Sequence, residues 1–363
     1  MPTPQQPTTH FLRDILRQPN ELQRTLDHLS GAGRDSLDAA VDAVRAARHV
    51  YLTGIGSSWH AGLNVSALFQ LGARPVYLVD AAELVQFAAI PVDSVLIVIS
   101  RSGRSVEIVQ LVAKAREARA TVIGITNAPD GTLAREAQIP IVIPVAMDHA
   151  ISVNTYTTLA LAVGILASSV VASFDAALAS SLSHAFAEAG RAIPGWQAQI
   201  ENSAWLAPRS TTYFLARGSS LGSAYEARLM WEEGVKSPAT AMGTGSFRHG
   251  PQEIVAKDVR FGMWIDGAKM REQDLAVARD LRKLGARVML IGQRLPEDAG
   301  DLVFQLPEIA SEWQFLIDII PAQLVAERLA RLSGSDPDTF RLSSFVVEDE
   351  AGLLPKQANK EKP

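Results

Sequence analysis

The stretch Val95-Leu-Ile-Val-Ile-Ser-Arg-Ser-Gly-Arg-Ser105 decides the reading of this chain. Its first half is an unbroken apolar run rich in β-branched residues, the mark of a parallel strand buried on both faces. The run stops in a loop of serines and arginines, and a helical pattern follows at once. Hydroxyls and free backbone N–H groups at the start of a helix make an anion site. Ser100, Ser102 and Ser105 supply hydroxyl donors, while Arg101 and Arg104 supply positive charge. The pattern predicts a seat for the phosphate of a small molecule.

The chain has 363 residues, enough for two domains of ordinary size. A hydrophobic content of 47% with 20% charged residues describes a well-packed globular protein. The net charge of -5 argues against a nucleic-acid binder, which is normally basic. The absence of cysteine excludes a disulfide framework, a cysteine metal site and a cysteine nucleophile. The first ten residues are polar and proline-rich and do not read as a signal peptide, so a cytoplasmic location is expected. Residues 151–173 are apolar enough to raise the question of a membrane span. Asn154, the threonines around Tyr156 and the Ser168-Ser169 pair interrupt them, and basic anchors are missing, so a helix buried between domains is expected instead.

The chain reads as a duplicated unit. Tyr51-Leu-Thr-Gly-Ile-Gly-Ser-Ser58 resembles Tyr213-Phe-Leu-Ala-Arg-Gly-Ser-Ser220, and the same shift places Gly72 on Gly234. Such a long period indicates two copies of one domain rather than a solenoid. In the first copy, strands are expected near 49–53, 76–79, 95–100, 121–126 and 141–145, with helices between them, as at 58–71 and 105–117. In the second copy they are expected near 213–216, 261–265, 286–291 and 302–306. Strands alternating with helices predict an α/β fold of two tandem doubly wound, flavodoxin-like parallel sheets with helices on both faces. The expected organisation is an N-terminal helical segment (1–37, its amphipathic stretch from about residue 20), a first domain (38–173), a helical linker (174–207) broken at Pro194-Gly195, a second domain (208–340) and a tail (341–363). Ligands of such folds sit outside the carboxyl ends of the strands. The loop at Gly54-Ile-Gly-Ser-Ser58 and the loop 100–105 are therefore expected to face one crevice. A dinucleotide site is the rival, with Asp80 as ribose partner, but Trp59 stands where G-x-G-x-x-G needs its third glycine.

Gly72 and Gly234 read as residues just past helix ends. Leu71 precedes the first, and Glu232 and Glu233 precede the second. A carboxylate facing the negative end of a helix dipole gains proton affinity, which suits a general base, although two solvated glutamates are the plainer alternative. His249, in Phe247-Arg-His-Gly-Pro251, occupies a tight loop and is able to give and take protons near neutrality. No pair among the seven histidines has metal-ligand spacing, so neither a metal site nor a cofactor is expected.

These features together resemble the sugar isomerase (SIS) domain proteins, in particular the isomerase half of glucosamine-6-phosphate synthase. The resemblance runs from about Leu22 to Glu348. It implies that Ser58, Ser100, Arg101, Ser102 and Ser105 bind a sugar phosphate, with Ser57 adjacent. It further implies that Glu233 moves a proton between C1 and C2, and that His249, reaching over from a neighbouring subunit, opens the sugar ring. Glu226 matches another glutamate of the same helix, and Asn154 lies near a sugar-contacting position. A homodimer with shared sites is implied, with neither nucleic acid nor membrane as partner. The sequence departs from the synthase in having no cysteine and no glutaminase segment, so glutamine-dependent transfer is not expected. Met230 and Ser343 stand at family lysine positions, Arg101 replaces a glutamine and Ser246 replaces a glutamate. The leading expectation is an isomerase or deaminase of a hexose or hexosamine 6-phosphate. The alternatives are a deglycase of phosphorylated sugar–amine adducts and a non-catalytic sugar-phosphate sensor.

Overall fold

Chain segments that are apolar throughout form the centre of the molecule, and segments with alternating character surround them. The computed structural model describes residues 8–201, 203–206, 210–342, 344–350 and 352–353. Ser343, and residues 351 and 354–363 of the expected tail, lie outside the described residues. Two helices, α1 (His10–Ser30) and α2 (Arg34–Ala46), lead into the first sheet. There follow β1 (His49–Gly54), α3 (Ser57–Leu71), β2 (Tyr77–Asp80), α4 (Ala81–Phe87), β3 (Ser94–Ser100), α5 (Val106–Glu117), β4 (Thr121–Thr126), α6 (Thr132–Glu136) and β5 (Ile139–Val142). The long helices α7 (Asn154–Val170) and α8 (Ala176–Glu201) connect to the second sheet. Its elements are β6 (Thr212–Ala216), α9 (Leu221–Met230), β7 (Ala239–Gly243), α10 (Thr244–Phe247), β8 (Arg260–Trp264), α11 (Arg271–Lys283), β9 (Arg287–Gly292), β10 (Leu302–Gln305) and α12 (Ile319–Leu332).

Both sheets are parallel throughout, ordered β2-β1-β3-β4-β5 and β10-β9-β8-β6-β7. Counted within each copy, the two orders are the same doubly wound order. The strand order reverses between β1 and β3 in one sheet and between β6 and β8 in the other, and a crevice opens at each reversal. Every residue of β3 is buried, as its apolar run requires. A continuous core built from α1, α2, α3, α7, α8, α9 and α12 joins the inner faces of the sheets, and a smaller core lies on the outer face of each. Helix α7 is buried around its whole circumference except at Ser169, which explains its apolar composition. Among the described residues no helix is long and apolar enough to cross a membrane.

Four local expectations need correction. Helix α1 starts at His10, ten residues before the amphipathic stretch read from the sequence, because Thr9 caps it by accepting from Leu12 N–H. Helix α8 runs through Pro194 without ending. Its buried face of Leu182, Ala185, Phe186, Ala189, Ile193, Trp196 and Ile200 continues across the proline, and packing outweighs the lost backbone hydrogen bond. Strand β7, Ala-Thr-Ala-Met-Gly, has too little β-branched character to be read from sequence and exists as the edge partner of β6. Strand β5 lies two to three residues before its expected position, at Ile139–Val142.

Candidate active site

The two loops at the carboxyl ends of β1 and β3 open on one cleft of about 230 Å³. After β1, Gly56 takes φ 57°, a left-handed conformation that favours glycine, and Ser57 starts α3. An added Cβ at Gly56 would meet nothing within 4 Å, so this turn faces open space. Ser57, Ser58, Ser100, Arg101, Ser102 and Ser105 all line the cleft. Glu233 from the second copy lines it too, together with Ala150, Ser152 and the C-terminal residues Phe340 and 344–347.

The direction of each hydroxyl hydrogen bond determines what these serines present to a ligand. Ser100 Oγ accepts from Gly103 N–H at 3.0 Å, and Ser102 Oγ accepts from Arg104 N–H at 3.2 Å. Both therefore keep their protons for donation. The hydroxyls of Ser58 and Ser105 engage no protein group among the described residues. Ser57 is turned the other way, donating to Glu226 Oε1 at 2.9 Å. Four proton-bearing hydroxyls around the starts of two helices make a seat for an anion.

Arg101 is committed elsewhere than its sequence position suggested. Its Nη1 donates to Ala150 O at 3.0 Å and Ser152 Oγ at 3.1 Å, and its Nη2 donates to Phe345 O at 2.7 Å. It ties the 150–152 loop and the C-terminal segment over the cleft, while its charge remains beside it. Val106 N–H, the first of α5, donates to Val347 O at 3.0 Å. Arg104 pairs with Asp130 at the surface.

Glu233 lies in the last turn of its helix, but Gly234 is not the residue past its end. A wide π-type turn, Trp231–Val235, continues α9, and Gly234 lies inside it. The turn ends at Lys236 with φ 58°, whose Nζ donates to the carbonyls of Glu233 and Thr339. The Glu233 carboxyl is raised from 4.5 to about 7 by burial first and by the Glu226 charge second. Arg101 and Lys236 pull in the opposite direction. Desolvation and a like charge therefore account for the proton affinity that sequence reasoning attributed to the helix dipole. Glu232 stays exposed and pairs with Arg228 at 3.1 Å.

The other expected residues lie outside the lining. Glu226 is fully buried beneath Ser57. Asn154 is also fully buried and donates to Asp148 Oδ1 at 2.7 Å and Asp14 O at 3.0 Å. Asp148 further accepts the N–H groups of Val153, Asn154 and Thr155 at the start of α7. The correction for Asn154 is that it secures the loop carrying Ser152 instead of facing the cleft. His249 is exposed in the loop after α10, where its N–H donates to Ser246 O, and it does not line this chain's cleft. Met230 is fully buried in the core. Among the described residues no group of three or more His, Cys, Asp or Glu is arranged to hold a metal ion.

Sequence reasoning missed His60, whose Nδ1 lies 2.7 Å from Glu226 Oε2, and the C-terminal segment over the cleft. The signal for His60 was a titratable residue in the first turn of a helix otherwise made of small and apolar residues. The apolar run Phe345-Val-Val347 after a polar stretch was the signal for the segment.

Comparison with known proteins follows the same division into copies. Residues 43–168 match the SIS domain model. The chain is 27% identical over 358 residues to a glutamine–fructose-6-phosphate aminotransferase (isomerizing) of Pyrobaculum aerophilum, covering 94% of this chain and 58% of that protein. The chain thus spans little more than half the length of that relative. The C-terminal domain of glucosamine-fructose-6-phosphate aminotransferase from Francisella tularensis superposes with a TM-score of 0.83 at 21% identity, covering 92% of this chain and 99% of that one. Tagatose-6-phosphate ketose/aldose isomerase from Escherichia coli superposes with a TM-score of 0.79 at 21% identity, covering 96% and 98%.

Proposed function

From the match of residues 43–168 to the SIS domain model, we propose that this chain is an enzyme that moves a proton between C1 and C2 of a hexose or hexosamine 6-phosphate. The observation that carries this reading is a carboxylate poised near pH 7, Glu233, in the same cleft as four proton-bearing serine hydroxyls. In this reading the phosphate accepts from Ser58, Ser100, Ser102 and Ser105, which anchors the sugar with its far end toward Glu233. Ring opening takes a proton from the anomeric hydroxyl and delivers one to the ring oxygen. His249 of the partner subunit serves this step, since His249 stands exposed outside its own cleft. Glu233 then removes the C2 proton to leave an enediolate, the hydroxyl proton of O2 passes to O1, and Glu233 returns its proton to C1 to give the ketose. With an amine on C2 the same transfer runs through an enolamine to a ketimine, which takes up water and releases ammonia. A base with affinity near neutrality both accepts and returns the proton without a large barrier either way.

The test is release of ketose or ammonia from a panel of hexose and hexosamine 6-phosphates by the full chain. Glu233→Gln is expected to lower kcat by about 100-fold or more while binding persists. A folded protein that turns over no member of the panel overturns the reading. Ligand binding and its biological effect, both unchanged in Glu233→Gln, would identify a sensor instead.

One observation favours a second reading, a deglycase of phosphorylated sugar–amine adducts. A further opening of about 370 Å³, flanked by Lys236 and Arg341, lies against Glu233 and gives room for a substituent on the reacting end. Preference for a fructosyl-amine 6-phosphate over glucosamine 6-phosphate in direct competition would select it.

A further inference from the structure

We propose that His60 is a positioning residue which, through Glu226, turns Ser57 into a hydrogen-bond acceptor for one sugar hydroxyl in the cleft. The inference rests on the sugar-phosphate reading above and adds the group that selects among the sugars. The Ser57 proton is committed to Glu226 Oε1 at 2.9 Å. A carboxylate only accepts, so a ligand that reaches the Ser57 hydroxyl meets its lone pairs and not its proton. Such an atom repels a phosphate oxygen and matches a sugar O–H. Ser57 is thus the opposite of Ser58, Ser100, Ser102 and Ser105, although all five edge one cleft.

The commitment is held from behind. Glu226 is fully buried and its second oxygen lies 2.7 Å from His60 Nδ1. Without that donor a buried carboxylate would rest on Ser57 alone, which is costly. His60 is itself buried, packed against the rings of Trp59 and Tyr225 with centroids 5.8 and 5.9 Å away. Gly222 of α9 presses against this turn of α3, where an added Cβ would stand 2.3 Å from His60 O. Helices α3 and α9, one from each copy, thereby lock the His60–Glu226–Ser57 chain across the interface between the copies. Glu226 and Glu233 follow one another about two turns apart on α9 and its continuation. Ser57 and Glu233, both of which line the cleft, are thereby tied to the same helix. The Glu226 charge held by this network is also, after burial, the largest influence that raises Glu233.

The test measures binding, by calorimetry, of a hexose 6-phosphate, its monodeoxy analogues and inorganic phosphate to the full chain. The wild type should bind one deoxy analogue about tenfold more weakly than the parent sugar. Ser57→Ala and His60→Leu should each reduce that ratio to less than about threefold and leave inorganic phosphate affinity unchanged. His60→Asn, whose Nδ2 can take the place of Nδ1, should restore the ratio. Glu226→Gln gives the same reading if His60→Leu does not fold, because its amide frees Ser57 to donate. Full discrimination in Ser57→Ala or His60→Leu overturns the inference, and so does a parallel loss of phosphate affinity, which would mark Ser57 as an anion donor. Discrimination without turnover would sink the isomerase reading alone. Turnover with discrimination unchanged in the variants would sink this inference alone.

Discussion

The two copies build the same turn and use it oppositely. Gly56 and Gly218 both adopt a left-handed backbone, with φ of 57° and 56°, and an added Cβ at either would meet open space. Each is followed by two serines and a helix at the point where its sheet's strand order reverses. In the first copy Ser58 is unengaged and the neighbouring loop adds three more proton-bearing serines. In the second copy Ser219 donates to Ser311 O at 3.0 Å and Ser220 donates to Asp318 Oδ2 at 2.6 Å. Ser223 donates to the other Asp318 oxygen at 2.6 Å, and the loop after β8 brings Asp266 to the crevice. The second turn has spent its hydroxyls on internal acceptors and holds acidic groups where an anion would bind. Fold and backbone are therefore insufficient to make a phosphate seat, and the partners of the hydroxyls decide it. The second copy contributes Glu233 to the first copy's cleft instead.

That division of labour is open to attack in four ways. The largest effect concerns the proposed sharing of sites between subunits. Glu233→Gln and His249→Asn should each be nearly inactive alone, whereas a refolded mixture should recover about a quarter of wild-type activity, because random pairing restores one of two sites in half of the dimers. Absence of recovery would confine the site to a single subunit. Next, Ser102→Ala should raise KM for the sugar phosphate about tenfold with little change in kcat, while Ser220→Ala should leave KM within about twofold. Equal effects at both positions would erase the contrast between the copies.

The third concerns pH. Glu233 is raised to about 7, so with Glu233 as the proposed base kcat/KM should rise with pH through a limb near 7. Glu226→Gln removes a repelling charge, so the limb should move down by about one unit. A pH profile that keeps its position in that variant would exclude the second copy's charge as its cause. The smallest effect is on stability. Asp318 is raised from 3.8 to about 7 by burial, so the folded state holds its proton more tightly than the unfolded chain does. Its contribution is fully present below about pH 4 and is lost as pH rises through 7. Asp318→Asn should flatten the pH dependence of the protein's urea-denaturation stability across that window. The same slope in both proteins would show that Asp318 titrates alike folded and unfolded.

Much of the fold was legible because its signals are local. The apolar run of β3 can only be a central strand, and repeated Gly-Ser-Ser turns disclose the duplication. Pro194 misled because the face that carries α8 through it is defined by contacts with α1 and β10, including Trp196 Nε1 donating to Gln305 O. Strand β7 went unread because an edge position tolerates weak β-formers. In the cleft, Ser58 and the 100–105 serines were legible for the same reason as β3, since loop and helix start lie next to each other in the chain. Glu233 was legible by comparison of the copies, but its environment was not, because burial depends on what packs around it.

The chain's own order of residues determines two doubly wound sheets, a hydroxyl-rich turn at the switch point of each, and which residue types stand there. Tertiary structure alone decides which hydroxyls keep their protons, since Glu226 reaches Ser57 and His60 from more than 160 positions away and Asp318 reaches Ser220 across 98. It also decides that Glu233 is a base near neutrality, because desolvation is a property of the packed interior. The physical reason is common to both: hydrogen-bond polarity and proton affinity are set by the partners and dielectric around a group, and folding assembles these from distant parts of the chain.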